Sequence, residues 1–290
     1  MTETPAARPA ADHGRAGRNL PAALAIGLSL GAYVVLSLTF FKPAFVVLVA
    51  VALALASVEL HQALARHQDM HSSIIPIVGG GGAISIGSYL AGVQKVFSTT
   101  SVLLAALALT VLAALIWRMP RGAPGFVRDA AASLLIIGYV PMLGAFAALM
   151  LAEDQGAARL VTFLLVVTMS DTGGYVGGVL FGKHPMAPRI SPKKSWEGFA
   201  GSVLFAVIAG VMMAILGLRV PYWIGIVIGV CLAVVGTCGD LIESMIKRDL
   251  GIKDMSSFLP GHGGVMDRLD SLLVAAPVAW LIMYILVPGG

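Results

Sequence analysis

Val220-Pro-Tyr-Trp-Ile-Gly-Ile-Val-Ile-Gly-Val-Cys-Leu-Ala-Val-Val-Gly-Thr-Cys-Gly-Asp240 carries no charge until its last residue. About 20 mostly apolar residues are what a helix needs to cross a hydrocarbon core about 30 Å thick. Inside lipid every backbone N–H and C=O needs a partner within the chain, and a helix supplies one for each. The stretch is therefore expected to be a membrane-spanning helix that delivers a carboxylate to the membrane edge.

Eight further stretches of this kind are drawn near 20–41, 44–60, 74–94, 96–117, 130–152, 160–181, 198–218 and 269–288. The chain is 58% hydrophobic and 12% charged, with a mean hydropathy of +0.91. That composition excludes an ordinary soluble domain. The expected fold is all-α, a polytopic integral membrane helical bundle of about nine transmembrane helices. Residues 1–19, rich in Ala, Pro, Arg and Gly with no periodic apolar face, are expected to be a disordered cytoplasmic tail. The first apolar run is too long for the core of a cleavable signal peptide, so none is expected.

Nine spans with a cytoplasmic N-terminus put Arg8, Arg15, Arg18, Arg66, Arg118, Arg121, Arg128, Lys183, Arg189, Lys193, Lys194, Lys247, Arg248, Lys253 and Arg268 inside. Lys42, Lys95, Arg159 and Arg219 remain outside. This is the positive-inside pattern. It sets the expected orientation in a cell (inner) membrane and accounts for the net charge of +4 without nucleic acid as a partner.

Small residues let membrane helices approach closely. Gly79, Ala83, Gly87 and Ala91 recur every four residues in the third span, as do Gly174, Gly178 and Gly182 in the sixth. Such faces pack helices within the bundle or between subunits, and a homodimer is expected. Pro76 and Pro141 lie inside drawn spans, where kinks are tolerated. Cys231 and Cys238 share a helix face and are expected to stay reduced packing residues.

Carboxylates within spans are costly and usually functional. Asp171 lies in the middle or cytoplasmic half of the sixth span. Asp240 ends the eighth, with Glu243 one turn further on the same face if the helix continues. Asp267 and Asp270 open the ninth. Basic residues are interleaved: Lys183, His184, Arg189, Lys193 and Lys194 after Asp171, and Lys247, Arg248, Lys253 and Arg268 around the last loop. Carboxylates suit Mg²⁺, which is usually held by one or two of them plus substrate phosphates. Lys and Arg neutralise the remaining phosphate charge. The combination predicts chemistry on a phosphorylated substrate.

The last such region reads Ser244-Met-Ile-Lys-Arg-Asp-Leu-Gly-Ile-Lys-Asp-Met-Ser-Ser-Phe-Leu-Pro-Gly-His-Gly-Gly-Val-Met-Asp-Arg-Leu-Asp270. Its glycines, among them Gly263 and Gly264, permit positive φ and close backbone approach. The segment is either a cradle aiming amides at phosphate or a plain turn. His262 either bonds a phosphate, moves a proton, or makes a structural bond.

These residues resemble the phosphatidate cytidylyltransferases, also called CDP-diacylglycerol synthases. The family signature runs Ser-x-apolar-Lys-Arg, four residues, Lys-Asp, then x-small-x-x-apolar-Pro-x-His-Gly-Gly-apolar-x-Asp-Arg-apolar-Asp. The chain fills every specified position between Ser244 and Asp270. Ser170-Asp-Thr-Gly-Gly-Tyr175, Phe181-Gly-Lys183 and Ile190-Ser-Pro-Lys-Lys-Ser-Trp-Glu-Gly198 look like the family too. Gly174 and Ser195 stand where it often has Ala and Thr.

The resemblance implies transfer of CMP from CTP to phosphatidate, giving CDP-diacylglycerol and pyrophosphate in phospholipid biosynthesis. It implies Mg²⁺, with or without a second metal ion, on Asp240 and Asp267, with Asp171 and Asp270 nearby. Lys247 and Arg268 join those two aspartates as expected catalytic residues. The expected substrate-binding set adds Lys193, Lys194, Ser195, Arg248, Lys253, His262, Gly263 and Gly264. Residues 20–159 are then N-terminal transmembrane helices. Residues 160–290 form a catalytic region with cytoplasmic loops at 183–197 and 241–268, its active site facing the cytoplasm and the membrane lipid. Two rivals stay open: a CTP-dependent lipid-alcohol kinase, which releases CDP, and a transporter. A transporter should show paired repeats and a midplane site, and no repeat of the Asp-rich motif is visible in the N-terminal half.

Overall fold

The computed structural model describes residues 20–95, 97–256 and 263–288. The expected tail at 1–19 and His262 lie outside the described residues. The helices are α1 (Leu20–Phe40), α2 (Lys42–Gln68), α3 (Ile74–Gln94), α4 (Thr99–Arg118), α5 (Phe126–Tyr139) and α6 (Pro141–Ala152). They continue with α7 (Gly156–Phe181), α8 (Trp196–Met213), α9 (Tyr222–Asp249) and α10 (Met266–Leu286). A π-helical turn, Ala214–Leu218, extends α8.

Among the described residues eight helical segments are long and apolar enough to cross a membrane, and α1 adds a shorter apolar stretch, Gly27–Phe40. The chain is a polytopic helical membrane protein, and each drawn span has a helical counterpart.

Several boundaries differ for physical reasons. The fifth span is two helices: Val140, with φ −101° and ψ −75°, separates α5 from α6, which starts at Pro141. Proline lacks an N–H and crowds the residue before it, so the helix breaks there. Pro76 causes no comparable break, because it sits in the first turn of α3, where no intrahelical N–H bond is lost. The loop drawn at 241–268 shrinks to residues 250–265, since α9 runs on to Asp249 and α10 starts at Met266. Apolar Leu241, Ile242, Met245 and Ile246 continue the helical pattern, and Glu243 pairs with Lys247 one turn on. The segment drawn as a loop at 183–197 holds an antiparallel hairpin of β1 (Pro185–Ala187) and β2 (Ser191–Ser195), followed directly by α8.

Two apolar clusters share α10. Ala275, Ala276, Ala279 and Met283 pack with α6, α7 and α9. Met266 and Leu273 pack with α2, α3, α5 and the loop residues Leu250, Met255 and Val265. Helices α7 and α8 pack backbone against backbone. A Cβ on Gly173 would lie 2.4 Å from the Gly201 carbonyl oxygen, so only glycine permits this approach. The small-residue face of the sixth span is thus used inside the chain. The expected stripe in α3 is only partly packed within the chain: Ala91 is buried and Gly87 half-buried, but Gly79 and Ala83 are exposed, while Ile77, Gly81, Ile84 and Ser88 on the neighbouring face are buried. A span that is apolar all round does not mark its inner side by hydropathy. Cys231 and Cys238 are free thiols, but Cys231 is only half-buried and Cys238 is exposed, so Cys238 is not a packing residue within the chain.

Candidate active site

The hairpin, α7, α8 and α9 surround a cavity of about 340 Å³. Asp171, Lys193, Lys194, Ser195 and Asp240 all line it, together with Gly174, Gly178 and Phe199. Lys194 Nζ donates to Asp240 Oδ2 at 2.5 Å, joining β2 to α9. Arg248 Nε donates to the Ile190 carbonyl at 3.3 Å, so the end of α9 also holds the hairpin turn. Glu197, in the first turn of α8, accepts the amides of Lys183 at 3.1 Å and His184 at 3.2 Å. It also meets His184 Nδ1 at 2.5 Å. One carboxylate thereby closes the base of the hairpin. Ser195 N-caps α8, accepting the Gly198 amide at 3.1 Å, and so has a structural task besides facing the cavity.

A second cluster adjoins along α9 and α10. Lys247 pairs with Glu243 and, at 2.9 Å, with Asp267 Oδ1. Glu243 is 1% exposed, and among the described residues its Oε1 is buried with no hydrogen-bond partner. Asp267 also accepts the Gly264 amide at 2.8 Å and the Met255 amide at 3.2 Å. The Gly264 amide is therefore given to a carboxylate of the chain itself. Gly263 has φ +78°, the left-handed conformation its lack of a Cβ allows. Asp270 accepts the Ser271 amide at 2.8 Å, and Ser271 Oγ lies 3.5 Å from Asp171 Oδ2. Lys253 and Arg268 are exposed and are not among the residues lining the cavity.

The two expected metal carboxylates thus stand in adjoining clusters, each beside a lysine. Among the described residues no group of three or more His, Cys, Asp or Glu is gathered as a ready-made metal site. The donor chemistry nonetheless fits Mg²⁺, which takes one or two carboxylates and completes its shell with water and phosphate oxygens. Asp171 and Asp240 share one cavity, and Glu243 Oε1 is an orphaned oxygen in a site that already attracts the Lys247 ammonium.

Glu59 escaped the sequence reading. From α2 it accepts Ser256 Oγ at 2.6 Å, the Val265 amide at 3.0 Å and the Met266 amide at 2.8 Å. The signal that marks it is the one that marked Asp171, a carboxylate inside a drawn span.

The fold and the site define a polytopic helical membrane protein whose acidic and basic side chains gather around one cavity. A model of the cytidylyltransferase family matches residues 22–286. The chain belongs to that family and is a nucleotidyltransferase. It is similar to the phosphatidate cytidylyltransferase of Mycobacterium leprae (strain TN), 41% identical over 288 residues, covering 94% of this chain and 90% of the relative. The enzyme of the same name from Mycobacterium bovis (strain ATCC BAA-935 / AF2122/97) is 38% identical over 292 residues, covering 96% and 93%. The one from Mycobacterium tuberculosis (strain ATCC 25618 / H37Rv) is 38% identical over 292 residues, covering 96% and 87%.

Proposed function

We propose that this chain transfers CMP from CTP to phosphatidate at the cytoplasmic face of the cell membrane, releasing pyrophosphate, with Mg²⁺ as cofactor. The observation that carries this reading is the cavity that Asp171 and Asp240 line together with Lys193 and Lys194. The excess of Lys and Arg at the positions assigned inside supports a cytoplasmic site.

In the proposed reaction a phosphate oxygen of phosphatidate attacks the α-phosphorus of CTP. A new P–O bond forms, the bond from the α-phosphorus to the oxygen bridging the β-phosphorus breaks, and pyrophosphate carries away the electron pair. The attacking group is already anionic near neutral pH, so the protein's task is to bring two anions together in line. Asp240 and Asp267 would hold Mg²⁺, which when bound supplies charge screening for the nucleotide and its leaving group. Lys193 and Lys194 hold nucleotide phosphate oxygens in the cavity. Lys247, Arg248 and Arg268 serve the remaining anionic oxygens near α9 and α10. Asp171, beside Ser271, and Asp270 complete the acidic wall. Lys253 and His262 stand as further phosphate contacts from the loop, and Gly263 and Gly264 keep its backbone close. Acyl chains remain in lipid beside the apolar outer surface of the bundle. A homodimer fits the same reading.

The test is purified protein in detergent with Mg²⁺, phosphatidate and CTP labelled on the α-phosphate. Label in the lipid with stoichiometric pyrophosphate is the expected result. Release of CDP instead would establish the kinase, and neither product would remove the enzymatic reading.

A further inference from the structure

We infer that Glu59 is a positioning residue: through the N-terminus of α10 it sets the orientation of Asp267 without touching substrate. The first amides of a helix have no partner within it. At the start of α10 the amide of Met266 and that of Val265, the residue just before the helix, point at Glu59, with distances of 2.8 Å to Oε2 and 3.0 Å to Oε1. Ser256 Oγ adds a third donor at 2.6 Å to Oε1. A carboxylate here also favours the positive end of the helix dipole. Glu59 itself is buried, 6% exposed, among the apolar side chains of α2.

Asp267 follows Met266 directly, so the carboxylate proposed for the metal stands on the turn that Glu59 fixes. The two acids divide the loop between them: Asp267 takes the amides of Met255 and Gly264, Glu59 takes Ser256, Val265 and Met266. Their joint grip accounts for glycine at position 264. A Cβ there would lie 2.7 Å from Glu59 Oε2 and 3.1 Å from Asp267 Oδ2. The motif's glycine is thus fitted to a residue some two hundred positions away, in the half of the chain that carries no motif. A purely apolar contact between α2 and α10 would hold the helices together without fixing the rotation of that first turn. The hydrogen-bonded carboxylate does both.

The inference rests on the cytidylyltransferase reading for the role of Asp267, and the experiment separates the two. Wild type, Glu59→Gln and Glu59→Asp are purified and compared by label transfer from CTP, by the Mg²⁺ concentration giving half-maximal rate, and by hydrogen exchange of peptides covering 263–270. Glu59→Gln keeps size and shape but turns one acceptor into a donor. The expected result is a kcat at least tenfold lower, a half-maximal Mg²⁺ concentration several-fold higher, and faster exchange at 263–270 with α7 and α8 unchanged. Glu59→Asp, too short to reach both amides, should show the same changes, and it carries the test if the glutamine variant does not fold. A smaller folded fraction alone lowers the rate but leaves the Mg²⁺ requirement unmoved. Rates and Mg²⁺ dependence within twofold of wild type in either folded variant overturn the inference, as does a loss of rate without faster exchange at 263–270. Absence of transfer by the wild type would instead remove the underlying reading of function.

Discussion

Lys194 Nζ lies 2.5 Å from Asp240 Oδ2, and this contact ties a short surface hairpin to a membrane helix across the cavity that both residues line. The two side chains are 25% and 28% exposed. A pair so accessible contributes no more than about 1 kcal/mol to stability. A charge-assisted hydrogen bond from the same ammonium to a phosphate is worth about 1.5–3 kcal/mol.

The ratio of those magnitudes makes Lys194→Met diagnostic. The melting temperature is expected to fall by only a few degrees, while KM for CTP rises by about tenfold or more, since about 1.4 kcal/mol is a factor of ten. Initial rates against CTP concentration, alongside a thermal unfolding curve, check both. A large drop in melting temperature with unchanged KM would make Lys194 a latch and nothing more.

Asp267→Asn is expected to abolish turnover while leaving the protein folded. Asparagine still offers an oxygen to the Gly264 or Met255 amide, so the loop keeps part of its anchor. The negative charge that pairs with Lys247 at 2.9 Å, and that would hold Mg²⁺, is gone. The check is transfer activity across a Mg²⁺ titration, with size-exclusion behaviour as the control for folding. Substantial activity at saturating Mg²⁺ would remove Asp267 from the proposed metal site.

What could be foreseen from the residues follows from what lipid enforces. Runs such as 220–240 announce their helices because hydrocarbon leaves no other way to satisfy the backbone. Asp171 of α7 and Asp240 of α9 meet Lys193 and Lys194 of β2 in one cavity, and the span pattern carries part of that information by placing the 183–197 segment directly between the two spans that line the cavity with α9. The hairpin was less visible: β2 reads Ser-Pro-Lys-Lys-Ser, with no apolar alternation, and it is held by Glu197 and by pairing with β1. The end of α9 lies beyond the apolar run, because Glu243 and Lys247 pair one turn apart and let the helix continue past Asp240. Glu59 was hidden for a different reason. It carries the same local mark as Asp171, a carboxylate inside a span, but its partners, the Ser256 hydroxyl and two backbone amides, lie around two hundred positions downstream, and nothing local in the sequence points to them.

Arg159 shows how a buried charge can serve the fold instead of the reaction. It is 1% exposed and donates to carbonyls at Asp154 (2.9 Å), Met283 (2.8 Å) and Val287 (3.2 Å), capping the last turn of α10. Arg159→Met takes its donor from the buried Val287 carbonyl and one of two donors from the Met283 carbonyl, which keeps the Val287 amide, at about 1–3 kcal/mol for a group left stranded. The expected outcome is a melting temperature lower by several degrees or more and a smaller yield of folded protein, with kcat per active site unchanged. Active-site titration followed by rate measurement separates the two effects. A reduced kcat in the titrated sites would give Arg159 a part in the reaction.

Glycine substitutions offer a matched comparison between packing inside the bundle and exposure on its surface. A Cβ on Gly201 would stand 2.4 Å from the Gly173 carbonyl oxygen and 3.3 Å from the Gly177 Cα, so even alanine forces α7 and α8 apart. The obstacle is backbone, which cannot turn aside as a side chain can, and overpacking a fitted contact costs about 1–3 kcal/mol or more. The cavity depends on the same spacing, because Gly174 and Gly178 of α7 line it with Gly198, Phe199 and Ser202 of α8. Gly201→Ala should therefore lower both melting temperature and transfer rate. Gly79→Ala is the control: nothing lies within 4 Å of a Cβ there, and helix propensity favours alanine by about 1 kcal/mol. Equal stability loss at the two positions would show that α3 packs against something at Gly79, as a subunit interface through that face requires.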